Sequence, residues 1–366
     1  MILVDSKTSS EFKTGPLRVS FFFVGAIFAA LLGGCDSGPE VIELTGAKFG
    51  THYNITVVAD QPAPSDLAAQ VEAILDRVDA SMSTYKADSE LSQLNGVARS
   101  TPHAISAPFA EVLDVSADVW RLSAGAFDPT VGPLVDLWGF GPSQTGDKIP
   151  TSTAIQSTLA SAGFDAVTLQ STNTGVFLRK SRRVQLDLSA VAKGYAVDLI
   201  ADYLEMNALP DYLVEIGGEL RVSGNNPQGE LWRVAVEIPQ LTGGVERILH
   251  LQDVSLATSG DYRNYFERDG KRYSHMIDPR SGYPIDHALA SVTVVMPRCA
   301  EADAWATAFF VMGEEQAIQR ANELGLAIYL LVRKDDGFIA QHSLAFAPYM
   351  KEDSASSDSM LPALTH

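Results

Sequence analysis

The sequence predicts an α+β fold. Strand-like and helical periodicities mix along the 366 residues without the regular alternation of a doubly wound sheet. Apolar residues make up 46% of the chain, ample for a large core. No repeat of about 20 to 50 residues, no heptad run and no second hydrophobic span competes with that assignment.

The first elements are read before any globular body begins. Lys7, Lys13 and Arg18 precede an uncharged run from Val19 to Leu32. That run is short for a membrane span and fits a signal-peptide core. It ends in Leu32-Gly33-Gly34-Cys35, which resembles the lipobox of bacterial lipoproteins. Residues 1–34 are therefore expected to be cleaved and Cys35 lipidated, an uncleaved anchor being the alternative. Asp36 resembles a retention signal, so the expected location is the bacterial inner membrane, lipid-anchored and facing the periplasm. Residues 35–40 form a linker, 41–345 the body and 346–366 a tail.

Residues 41–59 give two strand-like runs around Gly50-Thr51, a hairpin. A helix follows from Pro64-Ser65, with Leu67, Val71, Ile74, Leu75, Val78 and Met82 on one face. Residues 86–104 look irregular, and 107–124 return to a helix. The segment 126–135, with two prolines, a glycine and Asp128 among apolar residues, describes a fixed loop. A Gly/Pro/Ser-rich excursion (139–152), a helix (153–162) and a strand pair lead into Val184 to Asn207.

There, alternating apolar residues up to Leu188 read as a strand that turns directly into a helix, with Ser189 as its N-cap. Lys193 lies in the first turn, where the helix dipole disfavours a cation. Gly194 beside it removes a side chain. Orphan N–H groups, a cation and a gap describe a seat for a phosphate. The alternative is a solvated Lys193 and a glycine that merely accommodates packing.

Downstream, 212–222 reads as one strand interrupted by Gly217-Gly218, a bulge or a close backbone approach by a ligand. Further strands span 232–238, 247–251 and 290–296, followed by one long helix (301–324) and a closing hairpin (327–343) turning at Asp335-Asp336-Gly337. Asp303 and Thr307, four apart on a helix, offer hard oxygen donors suited to Mg²⁺ or Ca²⁺. His275, in a strand ending at Asp278-Pro279-Arg280, has a side chain able to take a proton from a hydroxyl near neutral pH.

Charge narrows the ligands. The chain carries −18, and −19 without residues 1–34, which disfavours nucleic acid and anionic lipid. An anionic ligand must be held locally, with a metal. Apart from Cys35 the only cysteine is Cys299, so no internal disulfide forms. Walker, dinucleotide-binding, zincin, C-x-x-C and G-x-S-x-G patterns are absent.

FDPTVGPLV, LDLSAVAKGYAVD, IGGE, ATSGDYR, HMIDPRSGYP and ADAWATAFFVMG, in this order, closely resemble the ApbE family of flavin transferases. The resemblance implies a two-part α+β body in the T-fold style with FAD between the parts. It implies FAD:protein FMN transfer with Mg²⁺: FAD is split, AMP released, and FMN joined by a phosphoester to a Ser or Thr of an acceptor. Implied acceptors are subunits of sodium-pumping NADH:quinone reductase and of Rnf-type complexes. It places Asp303, Thr307 and the Ala190 carbonyl on the magnesium, Met82, Tyr85, Ala126 and Asp128 around FAD, and Gly217, Gly218 and Ser259 along the flavin pocket. His275 matches the family histidine proposed for transfer. Lys193 and Asp187 belong to the signature, with phosphate contact and support of the corner before the helix as their roles. The rival expectations are a Mg²⁺-dependent FAD pyrophosphatase and a non-catalytic FAD-binding lipoprotein.

Overall fold

A computed structural model describes residues 38–97, 101–141, 149–240, 243–261, 265–335 and 337–350. The leader, Cys35, Tyr262, Arg263, residues 142–148 of the 139–152 excursion and the tail from 351 lie outside these. The expected hairpin forms first, β1 (Glu40–Lys48) and β2 (Thr51–Ala59), turning through Phe49 and Gly50, both at positive φ. Helix α1 (Leu67–Met82) buries the six apolar residues its periodicity selects. The supposedly irregular 86–104 instead holds α2 (Glu90–Gly96) and a short β3 (His103–Ile105). Ser89 caps α2 by accepting from Ser92 N at 3.0 Å, a local cap signal that outweighs the weak periodicity of so short a helix.

Helix α3 (Ala107–Leu122) follows, then α4 (Gly132–Leu137) within the proline-rich loop, α5 (Ser152–Leu159), and the pair β4 (Val167–Thr172) and β5 (Gly175–Lys180). Residues 184–188 are not a strand. Val184, Leu186 and Leu188 are buried alternately, which imitates one. Their backbone partners are side chains and loops: Leu186 N donates to Asn95 Oδ1 at 2.7 Å, Asn95 Nδ2 to Leu186 O at 2.8 Å, and Asp187 N to Pro129 O at 2.7 Å. Helix α6 (Ser189–Met206) begins at Ser189 itself, so that residue is not the N-cap.

Strands β6 (Asp211–Ile216) and β7 (Glu219–Ser223) form a hairpin, and Gly217-Gly218 are its two-residue turn at φ 63° and 109°, not a bulge in one strand. Then come β8 (Trp232–Glu237), β9 (Val245–Leu251), β10 (Val254–Gly260), β11 (Tyr265–Arg268), β12 (Lys271–Ser274) and β13 (Leu289–Met296). The single long helix expected over 301–324 is two, α7 (Cys299–Met312) and α8 (Glu314–Leu324), broken at Gly313 with φ 77°. Helix α7 is buried nearly all round, whereas α8 buries only Ala317 and Ala321, so the two need different axes. Strands β14 (Ala327–Lys334) and β15 (Gly337–His342) close the chain, and a 3₁₀ turn (Leu344–Met350) buries Phe346, so packing continues past residue 345.

The main sheet is antiparallel throughout, in the order β1-β2-β6-β7-β10-β13-β14-β15. Its side chains alternate between two cores: Val214, Val294 and Leu330 face α1, α6 and α7, while Leu213, Val295 and Leu331 face the β8–β9 hairpin and Phe346. A third core of Leu134, Trp138, Ile155, Phe266 and Ile277 joins α4 and α5 to the β11–β12 ribbon. The architecture is α+β, as predicted. No helix among the described residues is long and apolar enough to cross a membrane.

Candidate active site

Three charged side chains meet where α6, α7 and β7 converge. Lys193 Nζ stands 3.5 Å from Glu219 Oε1 and 3.6 Å from Asp303 Oδ2, and also donates to Ser189 O at 3.3 Å. Each partner is fixed from behind. Asp303 Oδ2 accepts the Gly194 N–H at 3.1 Å. Glu219 follows the Gly217-Gly218 turn, where Gly218 N donates to Glu215 Oε1 at 2.8 Å. Gly217 has no room for a side chain, since a Cβ would lie 2.6 Å from Thr51 Cγ2.

Gly194 answers the question the sequence left open. A Cβ there would lie 2.3 Å from the Cys299 carbonyl oxygen, so the glycine lets α6 meet the start of α7 backbone to backbone. It serves helix packing, and through packing it sets Asp303 beside Lys193. The N-cap is Leu188, which makes no side-chain cap, and Asp187 just before it closes a turn onto the first N–H of the helix: its Oδ1 accepts from Ser189 N at 2.9 Å.

Burial governs the electrostatics. It pushes Glu219 up to about 8, against the opposing pull of Lys193 and with help from Asp303. Burial also raises Asp303, although Lys193 and the Gly194 N–H oppose it. For Lys193 burial disfavours the charge, yet Asp303 and Glu219 together hold its pKa above the ordinary value. Glu219 is 5% exposed, and its Oε2 is buried without a hydrogen-bond partner. Two buried carboxylates thus face one ammonium: with Glu219 pushed up to about 8 the cluster is balanced near neutral pH, and it becomes one positive charge short only when Glu219 ionises.

Those residues fit a hard divalent cation. Asp303 supplies a carboxylate, Thr307 a hydroxyl one turn along α7, and Ala190 a backbone carbonyl in the first turn of α6, all oxygen donors. No group of three or more His, Cys, Asp and Glu able to hold a metal occurs among the described residues. Mg²⁺ needs no such cage, because it is commonly held by one or two carboxylates together with substrate phosphates.

The other sequence-selected residues are spread more widely. Met82 is buried at the end of α1, and Tyr85 just after it is 81% exposed. Ala126 is buried. Asp128 is engaged within the protein: Oδ1 accepts from Thr130 N at 2.7 Å and Thr130 Oγ1 at 2.6 Å, and Oδ2 from Phe164 N at 3.1 Å. It pins the 126–131 loop to the turn before β4. Gly218 presents open space where a Cβ would stand, and Ser259 is half-buried on β10 opposite Val292. His275 is not inside a strand but directly follows β12, half-buried and edge-on to Phe140 at 6.3 Å. Beyond it, Arg280 grips Asp278 through Nε at 2.9 Å and Nη2 at 3.0 Å.

Two residues of the site escaped the sequence-based selection. Glu219 stood inside the IGGE motif, but the glycines drew the attention. Asp198, at the end of AKGYAVD, is buried and accepts from Cys299 N and Ala300 N, each at 3.0 Å, which caps α7 from α6. The apolar residues at helical spacing lie on the other side of α6, so only the contact of Asp198 with the start of α7 reveals it.

An antiparallel α+β body carries a carboxylate–lysine cluster near the starts of two helices, a site of oxygen donors and one ammonium. The chain belongs to the ApbE family, whose model matches residues 49–330. It is 43% identical to the FAD:protein FMN transferase of Haemophilus influenzae, over 88% of this chain and 95% of that protein. It is 41% identical to the FAD:protein FMN transferase of Vibrio cholerae, over 88% and 96%. Among solved structures, the flavin transferase ApbE from Vibrio cholerae superposes with a TM-score of 0.79 at 39% identity, over 85% of this chain and all of that one. The apo flavinyl transferase ApbE of Pseudomonas stutzeri does so with 0.79 at 37% identity, over 85% and 97%.

Proposed function

We propose that this chain is a FAD:protein FMN transferase. The observation that carries the proposal is the cluster of half-buried Lys193 with buried Glu219 and Asp303, two carboxylates facing one ammonium near the start of α6, in a chain whose relatives bear that name over nearly their full length. An acceptor Ser or Thr hydroxyl attacks the FMN phosphorus of FAD. The new O–P bond forms as the pyrophosphate P–O bond breaks, AMP leaves, and His275 takes the hydroxyl proton. Lys193 meets a phosphate oxygen, and Asp187 holds the corner that presents the first turn of α6. Asp303, Thr307 and the Ala190 carbonyl would hold Mg²⁺, which when bound supplies neutralisation of phosphate charge. Met82, Tyr85, Ala126, Gly217, Gly218 and Ser259 line the FAD site between the two parts of the body, and Asp128 shapes its loop.

Incubating the full-length protein with FAD, Mg²⁺ and a candidate acceptor tests this. AMP release together with flavin fluorescence on the acceptor band is expected. AMP without label across several acceptors marks a pyrophosphatase, and absence of AMP marks a binding protein. Subunits of sodium-pumping NADH:quinone reductase and of Rnf-type complexes are the acceptors to try first. The protein is anchored through a lipid on Cys35 at the inner membrane, facing the periplasm, after loss of residues 1–34. The intact mass of the membrane-extracted protein should therefore be that of a chain beginning at Cys35 with an added lipid, and a mass that still includes residues 1–34 without lipid would refute the anchor.

A further inference from the structure

Lys193 occupies the position a second cation would contest. Its ammonium lies 3.6 Å from Asp303 Oδ2, the carboxylate assigned above to a divalent ion, and 3.5 Å from Glu219 Oε1. The first pairing cannot persist unchanged beside a doubly charged ion on the same carboxylate, because like charges at such separations repel strongly in a buried site. The second pairing can. Glu219 is held by its register opposite Ile216, behind the Gly217-Gly218 turn, and its other oxygen is buried without a partner.

We infer that Lys193 is a resident counter-cation that yields Asp303 when a divalent ion binds, and that Glu219 is the positioning residue that retains Lys193 and leaves it facing the incoming phosphate. The site then takes up cation and phosphate-bearing ligand together: the ligand's negative charge compensates the ammonium that the cation has displaced. Without that ligand, Lys193 competes for Asp303 and keeps cation affinity low. The inference rests on the cation placement proposed above.

The test uses Mn²⁺ alone, titrated into flavin-free full-length protein in detergent and followed by the electron paramagnetic resonance signal of free Mn²⁺. Lys193→Met, although it removes a side chain of the site, should bind Mn²⁺ at least about tenfold more tightly than wild type. Lys193→Arg keeps the charge and should bind as weakly as wild type. Glu219→Gln leaves Lys193 with Asp303 only and should bind more weakly than wild type. If Lys193→Met does not fold, judged by circular dichroism, Lys193→Gln carries the same comparison. Neutral variants that bind no more tightly than Lys193→Arg overturn the counter-cation role, and Glu219→Gln binding more tightly than wild type overturns the anchoring role. Asp303→Asn separates the two levels. If it binds Mn²⁺ like wild type, the cation placement itself fails. If it loses Mn²⁺ while Lys193→Met gains nothing, only the present inference fails.

Discussion

Asp303→Asn should lower FAD-dependent AMP release by roughly 10²–10³-fold while leaving the fold intact. The substitution keeps the contacts that hold the fold. Asparagine is nearly isosteric and retains an oxygen for the Gly194 N–H, now accepted at 3.1 Å. Lys193 keeps Glu219 as its partner at 3.5 Å. Burial already disfavours the Asp303 charge, so a neutral amide there relieves a cost, and Glu219 loses the neighbouring negative charge that helps to keep it protonated. Thermal unfolding should therefore occur at or above the wild-type temperature. What is lost is the anionic oxygen donor on which cation binding depends. AMP measured by chromatography beside a melting curve checks both halves. A folded variant that still releases AMP within tenfold of wild type would refute the assigned site.

Why the sequence disclosed some parts and hid others follows from the range of each signal. Local periodicity was sufficient for β1, α1 and α3, because each has one face on a core and one toward solvent, whereas the β14–β15 hairpin, with β14 buried on both faces, was marked by the turn residues between two apolar runs. It failed at 184–188, where buried alternation is real but the hydrogen-bond partners are Asn95 and Pro129, distant in sequence. It failed again at Gly313, since α7 is apolar all round and shows no face whose drift would mark the break. The Asp303–Thr307 spacing was visible as a pair of oxygen donors, but the cluster depends on β7 meeting α6 and α7, which no local pattern encodes. Gly194 shows the same limit. Its missing side chain looked like room for a ligand, and only the Cys299 carbonyl on the facing helix shows what fills that room.

Asp198→Ala should destabilise the folded protein by about 3–5 kcal/mol, the largest single-residue loss expected away from the apolar core. Helix α7 starts at Cys299 behind Arg298, a residue that makes no side-chain cap. Its first N–H groups depend on Asp198, which accepts from Cys299 N and Ala300 N at 3.0 Å each and places a negative charge at the positive end of the helix. Arg221 Nη1 at 3.3 Å and Arg298 Nε at 3.4 Å offset the burial that raises the pKa of Asp198. On truncation the arginines keep Asp202, and Arg221 keeps Glu205 as well, so they are not left bare. The two N–H groups have no such reserve, because the contact through Gly194 seals that end of α7 from water, and each unmade hydrogen bond costs about 1–3 kcal/mol. Asp198→Asn, with one oxygen still able to accept, should lose less. Denaturant titration of the three proteins gives the ordering wild type, Asn, Ala, and a loss below about 1 kcal/mol for Ala would show that α7 is held some other way. The same geometry ties stability to chemistry. Asp303 lies one turn beyond the capped N–H groups, so an α7 that frays at Cys299 releases the carboxylate from Gly194 and Lys193, and AMP release should fall at temperatures where the protein is still folded.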